Sequence, residues 1–214
     1  LSGSRNVTGI SMDSRSVREG DLYVALPGAK THGASFAAAA VAAGAAGILT
    51  DAQGQCIIAE AHLDLADTAL IIGTDLRRVL GSLAAFIYGS NDYPQLQRFA
   101  VTGTNGKTTT KELIAAVLSE KYNVLCTQGN FNNDVGVPKT LFRLGKEHEI
   151  AVIEMGASHP GDIKTLVETV EPDCGIITNV GRAHLQGFGS FEGVKRTKGE
   201  LYDYLAASKE SAVL

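Results

Sequence analysis

With 214 residues, 44% of them apolar and 20% charged, the chain is long enough to bury a core and lacks the profile of a disordered segment. Its formal net charge of -4 offers no long-range attraction to phosphate backbones or anionic lipid, which argues against nucleic acid or a membrane surface as the partner. Cys56, Cys126 and Cys174 are odd in number, widely spaced and without a Cys-x-x-Cys pair, so the expectation is buried free thiols in a reducing cytoplasm rather than a zinc site or disulfides.

Leu1 opens without a basic n-region, and no signal peptide is expected. The first apolar run, Leu22 to Leu26, predicts a strand that Pro27-Gly28 ends. Residues 33–50 carry no charge and could imitate a membrane span, but they are mostly alanine and are broken by Gly44 and Gly47. They predict a buried helix from about Ala34 to Ala43 running into a strand at Gly47 to Leu49. Asp51 to Gln55 then reads as a turn, with strands at Cys56 to Ile58 and Ala69 to Ile72. Asp75 is an N-cap for a helix to about Tyr88, which the 89–94 cluster stops. We place a domain boundary near Thr74.

From Phe99 the pattern becomes strict alternation. Strands are expected at Phe99 to Thr102, Asn123 to Cys126, Ile150 to Glu154, Gly175 to Thr178 and, cut short, from Ala212. The helices between them run over about 107–120, 138–144, 160–170 and 191–206. This rhythm implies an α/β protein: a small N-terminal α/β domain over 1–74, then an incomplete, doubly wound, mostly parallel domain over 75–214. Right-handed crossovers would bring the carboxyl ends of the second domain's strands to one edge, where ligands bind.

At that edge lies Gly103-Thr104-Asn105-Gly106-Lys107-Thr108. Its glycines let the backbone approach an anion closely, and the first helical turn points free N–H groups at it. A helix terminus contributes only about 0.3–2 kcal/mol, whereas micromolar binding needs roughly 8 kcal/mol. Lys107 at the terminal phosphates and Mg²⁺ held partly by Thr108 must therefore supply much of the rest. The usual G-x-x-x-x-G-K-[ST] pattern would put glycine at Val101; here the loop starts at Gly103.

Glu154 ends its strand on the same edge, and His184 follows the next strand by a few residues. A carboxylate beside phosphates needs a cation between them, which suits Mg²⁺. Taken alone, Glu154 also fits a helix cap or surface carboxylate, and His184 a loop histidine.

These segments, with Met12-Asp13-Ser14-Arg15, the 20–28 and 129–138 stretches, the run from Glu154 to Gly161 and residues 184–198, resemble the Mur ligase family over nearly the whole chain. Within it the likeness is to the members that add D-alanyl-D-alanine, and the short G-x-x-G-K-T is the family's own form. The resemblance implies an ATP-dependent amide-forming enzyme acting on UDP-N-acetylmuramoyl-tripeptide through an acyl phosphate. It implies that Gly103 to Thr109 bind ATP, with Lys107 at the phosphates. Thr108, Glu154 and His184 would hold Mg²⁺. Lys198, fourteen residues after His184, would be a carbamylated lysine attracting a second ion. A solvated helix lysine is the plainer reading of Lys198, with Lys195 a weaker competitor.

Ser14, Arg15, Ala29, Lys30 and Thr31 match the segments that hold the uridine nucleotide, and the loop with Asn130, Asn132 and Asn133 would meet the muramoyl-peptide. That loop also fits asparagines simply tolerating turn conformations. A monomeric cytoplasmic protein is expected, serving cell-wall synthesis and hence cell shape and division. The family's third, C-terminal domain has no counterpart here, so little or no ligase activity is expected of this stretch alone. The rival readings are the sister ligase that adds the third amino acid, and a P-loop phosphotransferase.

Overall fold

The computed structural model describes residues 6–65, 67–89, 92–182, 185–207 and 212–213. Two compact units divide the chain, residues 1–79 and 80–214.

The first unit is a four-stranded parallel sheet with its strands in sequence order: β1 (Gly9–Ser11), β2 (Asp21–Val24), β3 (Gly47–Thr50) and β4 (Ala69–Ile72). Between β2 and β3 a 3₁₀ turn, Gly33–Phe36, runs into α1 (Ala37–Ala42). The helix expected to be buried is so on one face only: Ala34, Ala37 and Ala40 pack with Tyr23, Ala25, Ile48 and Ile58, whereas Ala38, Ala39 and Ala42 are exposed.

The turn and strand expected over 51–58 are instead α2 (Ala52–Glu60). Asp51 is its N-cap, its Oδ1 accepting from Gly54 N at 2.8 Å. Gly54 and Ile58 are buried, with Ile57 half-buried beside them, a spacing of three and four that is the buried stripe of a helix. Reading Gly54 as a turn breaker concealed that stripe. Cys56 is consequently exposed, while Cys126 and Cys174 are half-buried, so the buried-thiol expectation fails for Cys56. Burial pushes the Cys126 thiol up, and that of Cys174 to about 11.

α3 (Leu76–Tyr88) starts as expected, with Asp75 Oδ1 accepting from Arg78 N at 3.2 Å, and it carries the chain past the division between the units. The second unit is a five-stranded, wholly parallel sheet. Its strands are β5 (Gln97–Thr102), β6 (Val124–Cys126), β7 (Ile150–Glu154), β8 (Cys174–Ile177) and β9 (Ala212–Val213), in the spatial order β6-β7-β5-β8-β9. Its helices are α4 (Lys107–Ser119), α5 (Gly136–Leu141), α6 (Asp162–Val170), α7 (Leu185–Phe188) and α8 (Phe191–Ala207).

Apolar residues on both faces of β5 and β7 explain why these strands read as continuous runs. Phe99, Val101, Ile150 and Val152 pack under α4. Ala100, Ala151 and Ile153 face Ile163, Leu166 and Val167 of α6 and Leu201 and Leu205 of α8. After β5 the chain passes to the edge strand β6, returns to β7 beside β5, then crosses to β8 on the other side. The carboxyl ends of β5 and β8 therefore form a topological switch point, where open α/β sheets bind ligands. No helix among the described residues is long and apolar enough to cross a membrane.

Candidate active site

The glycine loop leaves β5 at this switch point. Gly103 has φ 141°, and a Cβ there would collide with the Thr178 hydroxyl. Gly106, the N-cap of α4, has φ 76° with open space around it, so its requirement is backbone conformation rather than room. The segment after β8 moulds the loop. Asn179 O accepts from Thr104 N at 3.0 Å, Asn179 Oδ1 accepts from Asn105 N at 3.0 Å, and the Thr178 hydroxyl donates to Asn105 O at 2.6 Å. Gly181 N donates to Thr104 Oγ1 at 2.9 Å. Thr178 and Asn179 carried no signal in the sequence, because their partners lie more than seventy residues away.

Lys107 Nζ donates to Thr104 O at 3.1 Å, curled over its own loop. On the next residue the Thr108 hydroxyl donates to Glu154 Oε2 at 2.9 Å. Asn132 Nδ2 donates to the other oxygen, Oε1, at 2.8 Å. Glu154 is only 1% exposed, which discards the surface-carboxylate alternative. A buried carboxylate and a hydroxyl at the mouth of a glycine loop are hard oxygen donors that fit Mg²⁺, with phosphates and water completing its shell. Among the described residues no three His, Cys, Asp or Glu side chains form a metal cluster. His184 lies outside the described residues.

Lys198, on α8, is 3% exposed, so the solvated-lysine reading also fails. Lys195 instead has a side chain 66% exposed, 3.9 Å from Glu192. Lys198 lines a small pocket with Gly103, Thr104, Lys107 and Ala157. Burial first, and Lys107 second, lower its pKa from the ordinary 10.5 to about 8, with Asp162 and Glu200 opposing them. Those two carboxylates also tie down the loop after β7. Asp162 Oδ2 accepts from Ser158 N and His159 N at 2.7 and 2.8 Å, and Glu200 accepts from Gly161 N and Lys164 N at 2.9 and 2.8 Å.

Because the folded chain holds the Lys198 proton less tightly than the unfolded one, folding stability should rise as pH climbs from about 8 to 10.5. Urea titrations of the parent and Lys198→Met across that window should show the rise in the parent and a flatter profile in the variant. Parallel profiles would mean that Lys198 is not perturbed.

The asparagine loop is pinned by protein groups. Asn132 is committed to Glu154, Asn133 Oδ1 accepts from Gly136 N at 2.9 Å at the entry to α5, and Asn130 is exposed. In the first unit, Ser14 and Arg15 lie in a 3₁₀ turn capped by Asp13, whose carboxylate also takes the Arg15 guanidinium at 2.9 and 2.6 Å. Ala29, Lys30 and Thr31 are exposed on the loop after β2. His32, to which the sequence assigns no functional role, anchors that loop. Its Nδ1 accepts from Ala34 N at 3.0 Å, which leaves the proton on Nε2, 3.1 Å from Asp51 Oδ1.

The Mur ligase middle domain matches residues 101–214, and a second match, described as the Mur ligase family catalytic domain, covers residues 6–88. The UDP-N-acetylmuramoyl-tripeptide–D-alanyl-D-alanine ligase of Escherichia coli K12 is 40% identical over 92% of this chain and 40% of its own length. A crystal structure of MurF from Acinetobacter baumannii superposes with a TM-score of 0.81 at 36% identity, covering 97% of this chain and 43% of that one. MurF ligase from Thermotoga maritima in complex with ADP superposes at 0.78 with 33% identity, over 97% of this chain and 46% of that one. The chain thus spans about 40% of the length of the relatives it matches.

Proposed function

The chain belongs to the Mur ligase family, and from that premise we propose that the whole protein joins D-alanyl-D-alanine to UDP-N-acetylmuramoyl-tripeptide at the expense of ATP, in peptidoglycan precursor synthesis. The observation that carries this reading is the buried Glu154 carboxylate, held by Thr108 and Asn132 beside the glycine loop and Lys107. The names of the relatives from E. coli and A. baumannii support the choice of substrates.

A carboxylate is a poor electrophile. In the proposed reaction the terminal carboxylate of the tripeptide attacks the γ-phosphorus of ATP, ADP departs, and an acyl phosphate forms. The amine of D-alanyl-D-alanine then adds to the acyl carbon, and phosphate leaves from the tetrahedral intermediate. This chain's residues contribute positioning and charge neutralisation. The amides of the first α4 turn and Lys107 bind the terminal phosphates, while Thr104, Asn105 and Thr109 complete the cradle. Thr108 and Glu154 hold Mg²⁺, which when bound neutralises charge on the phosphates; His184 is assigned to a metal site by its position in the family pattern.

Lys198 is proposed as a carbamate site for a second Mg²⁺. Burial and Lys107 favour its neutral amine, whose nitrogen adds to CO₂ with loss of a proton. A ¹³C signal derived from labelled bicarbonate, present in the parent and missing in Lys198→Arg, is the expected result; equal signals would remove the assignment. Ser14, Arg15, Ala29, Lys30 and Thr31 are proposed to hold the uridine nucleotide, and Asn130, Asn132 and Asn133 to border the muramoyl-peptide. A monomeric, cytoplasmic enzyme completes the proposal, contributing to cell shape and division.

The test is phosphate release by the full-length protein. It should require ATP, UDP-N-acetylmuramoyl-tripeptide and D-alanyl-D-alanine together. Release instead with the dipeptide precursor and a diamino acid would move the assignment to the sister ligase.

A further inference from the structure

We propose that Lys111 is a positioning residue for Glu154, holding that acid at the cation site through Thr127. The inference rests on reading Glu154 as the acid that faces the cation.

Lys111 lies on α4 one helical turn beyond Lys107, yet it is wholly buried, at 0% exposure. Lysines ordinarily bury their methylenes and keep the ammonium in water, because a buried charge is costly unless its donors are met. Leucine or methionine would fill the same space without that cost. The ammonium is therefore there for its contacts. Nζ donates to Thr127 O at 2.6 Å and lies 2.8 Å from Glu112 Oε1.

Thr127 is the residue immediately after β6 and is 1% exposed. Its N–H donates to Val152 O at 3.1 Å, continuing the ladder past the last paired residue. Its hydroxyl accepts from Glu154 N at 3.0 Å. On the opposite side Met155 N donates to Val101 O at 2.9 Å. The peptide that carries the Glu154 side chain is thus gripped from both neighbouring strands, at the point where regular pairing ends.

One helix then references three parts of the site. Lys107 opens α4 toward the loop, Thr108 meets the Glu154 carboxylate directly, and Lys111 reaches the Glu154 backbone through Thr127. Residues that orient a metal ligand commonly change metal affinity about 10–100-fold when altered. Removing the Lys111 donor should therefore loosen metal-dependent nucleotide binding and leave metal-free binding alone.

The experiment measures ADP affinity of the full-length protein with excess Mg²⁺ and with EDTA, for the parent, Lys111→Met, Thr127→Val, their double variant and Glu154→Gln. Lys111→Met should keep ADP affinity in EDTA within about twofold while the Mg²⁺-dependent gain falls about tenfold. Thr127→Val should lose a similar amount, and the double variant no more than either, because both act on one chain of contacts. A Lys111→Met protein with the parent's full Mg²⁺ gain overturns the proposal, provided Glu154→Gln has lost that gain. If Glu154→Gln keeps the gain, the underlying reading of Glu154 is the one that fails. A measurement on the unaltered protein guards against a variant that does not fold. The ¹⁵Nζ resonance of Lys111 should shift when Mg²⁺ joins bound ADP and stay put with ADP in EDTA. A resonance indifferent to Mg²⁺ also overturns the proposal.

Discussion

Lys107→Met should lower turnover of the full-length protein about 1000-fold, equivalent to roughly 4 kcal/mol of lost transition-state stabilisation. Methionine preserves the unbranched stem and removes only the charge. Among the described residues the ammonium has one hydrogen bond, to Thr104 O at 3.1 Å, so its loss should cost the fold little. In the proposed reaction the same ammonium swings to the terminal phosphates, where charge develops. The loss should appear chiefly in kcat, with unchanged circular dichroism and thermal midpoint. A second readout is independent of catalysis. Lys107 is one of the groups that lower the Lys198 pKa, so Lys107→Met should raise it above about 8. Turnover within tenfold of the parent would remove Lys107 from the phosphate site.

Glu154→Gln should cost a comparable amount, about 1000-fold in turnover at ordinary Mg²⁺, by removing the negative charge that holds the ion. The substitution is nearly isosteric. Its amide oxygen can still accept from Asn132 Nδ2, and its new N–H₂ can donate to the Thr108 hydroxyl. Stability should therefore hold or rise, since a buried carboxylate satisfied by neutral donors is replaced by a neutral group. That separation of fold from function is the informative outcome. Added Mg²⁺ should recover part of the activity, and an unchanged Mg²⁺ dependence would show that the ion is held elsewhere.

Legibility varied along the chain for reasons that particular residues illustrate. β7 and α4 were readable almost to the residue, because an unbroken apolar run ending in Glu154 and a helix opened by Gly106 are local signals. β1 was missed because three residues, Gly9 to Ser11, are too few for a pattern; Ile10 alone has a large apolar side chain. α2 was misread because the same residue, Gly54, serves as a turn former in one context and as a close-packing helix position in another. α7, four residues long, offered no periodicity at all. Within the site, the loop glycines, Lys107, Thr108 and Glu154 could be found from spacing. Thr127, Thr178, Asn179 and the buried Lys111 could not, since each works through a partner distant in sequence.

By itself the sequence determined the alternation of strands and helices, the glycine loop opening a helix with Lys107 and Thr108, and a strand that ends in Glu154. Those properties depend on neighbours within a few residues, where backbone preference and apolar periodicity act. Tertiary structure alone decided which of the charged groups are buried. It turned Lys198 from a helix lysine into a buried amine whose pKa is lowered to about 8 by burial and Lys107, aimed Glu154 with a hydroxyl from α4 and an amide from the asparagine loop, and sealed Lys111 beneath the site. The physical reason is that desolvation and hydrogen bonding depend on what the fold brings alongside a group, and composition and spacing carry no record of that.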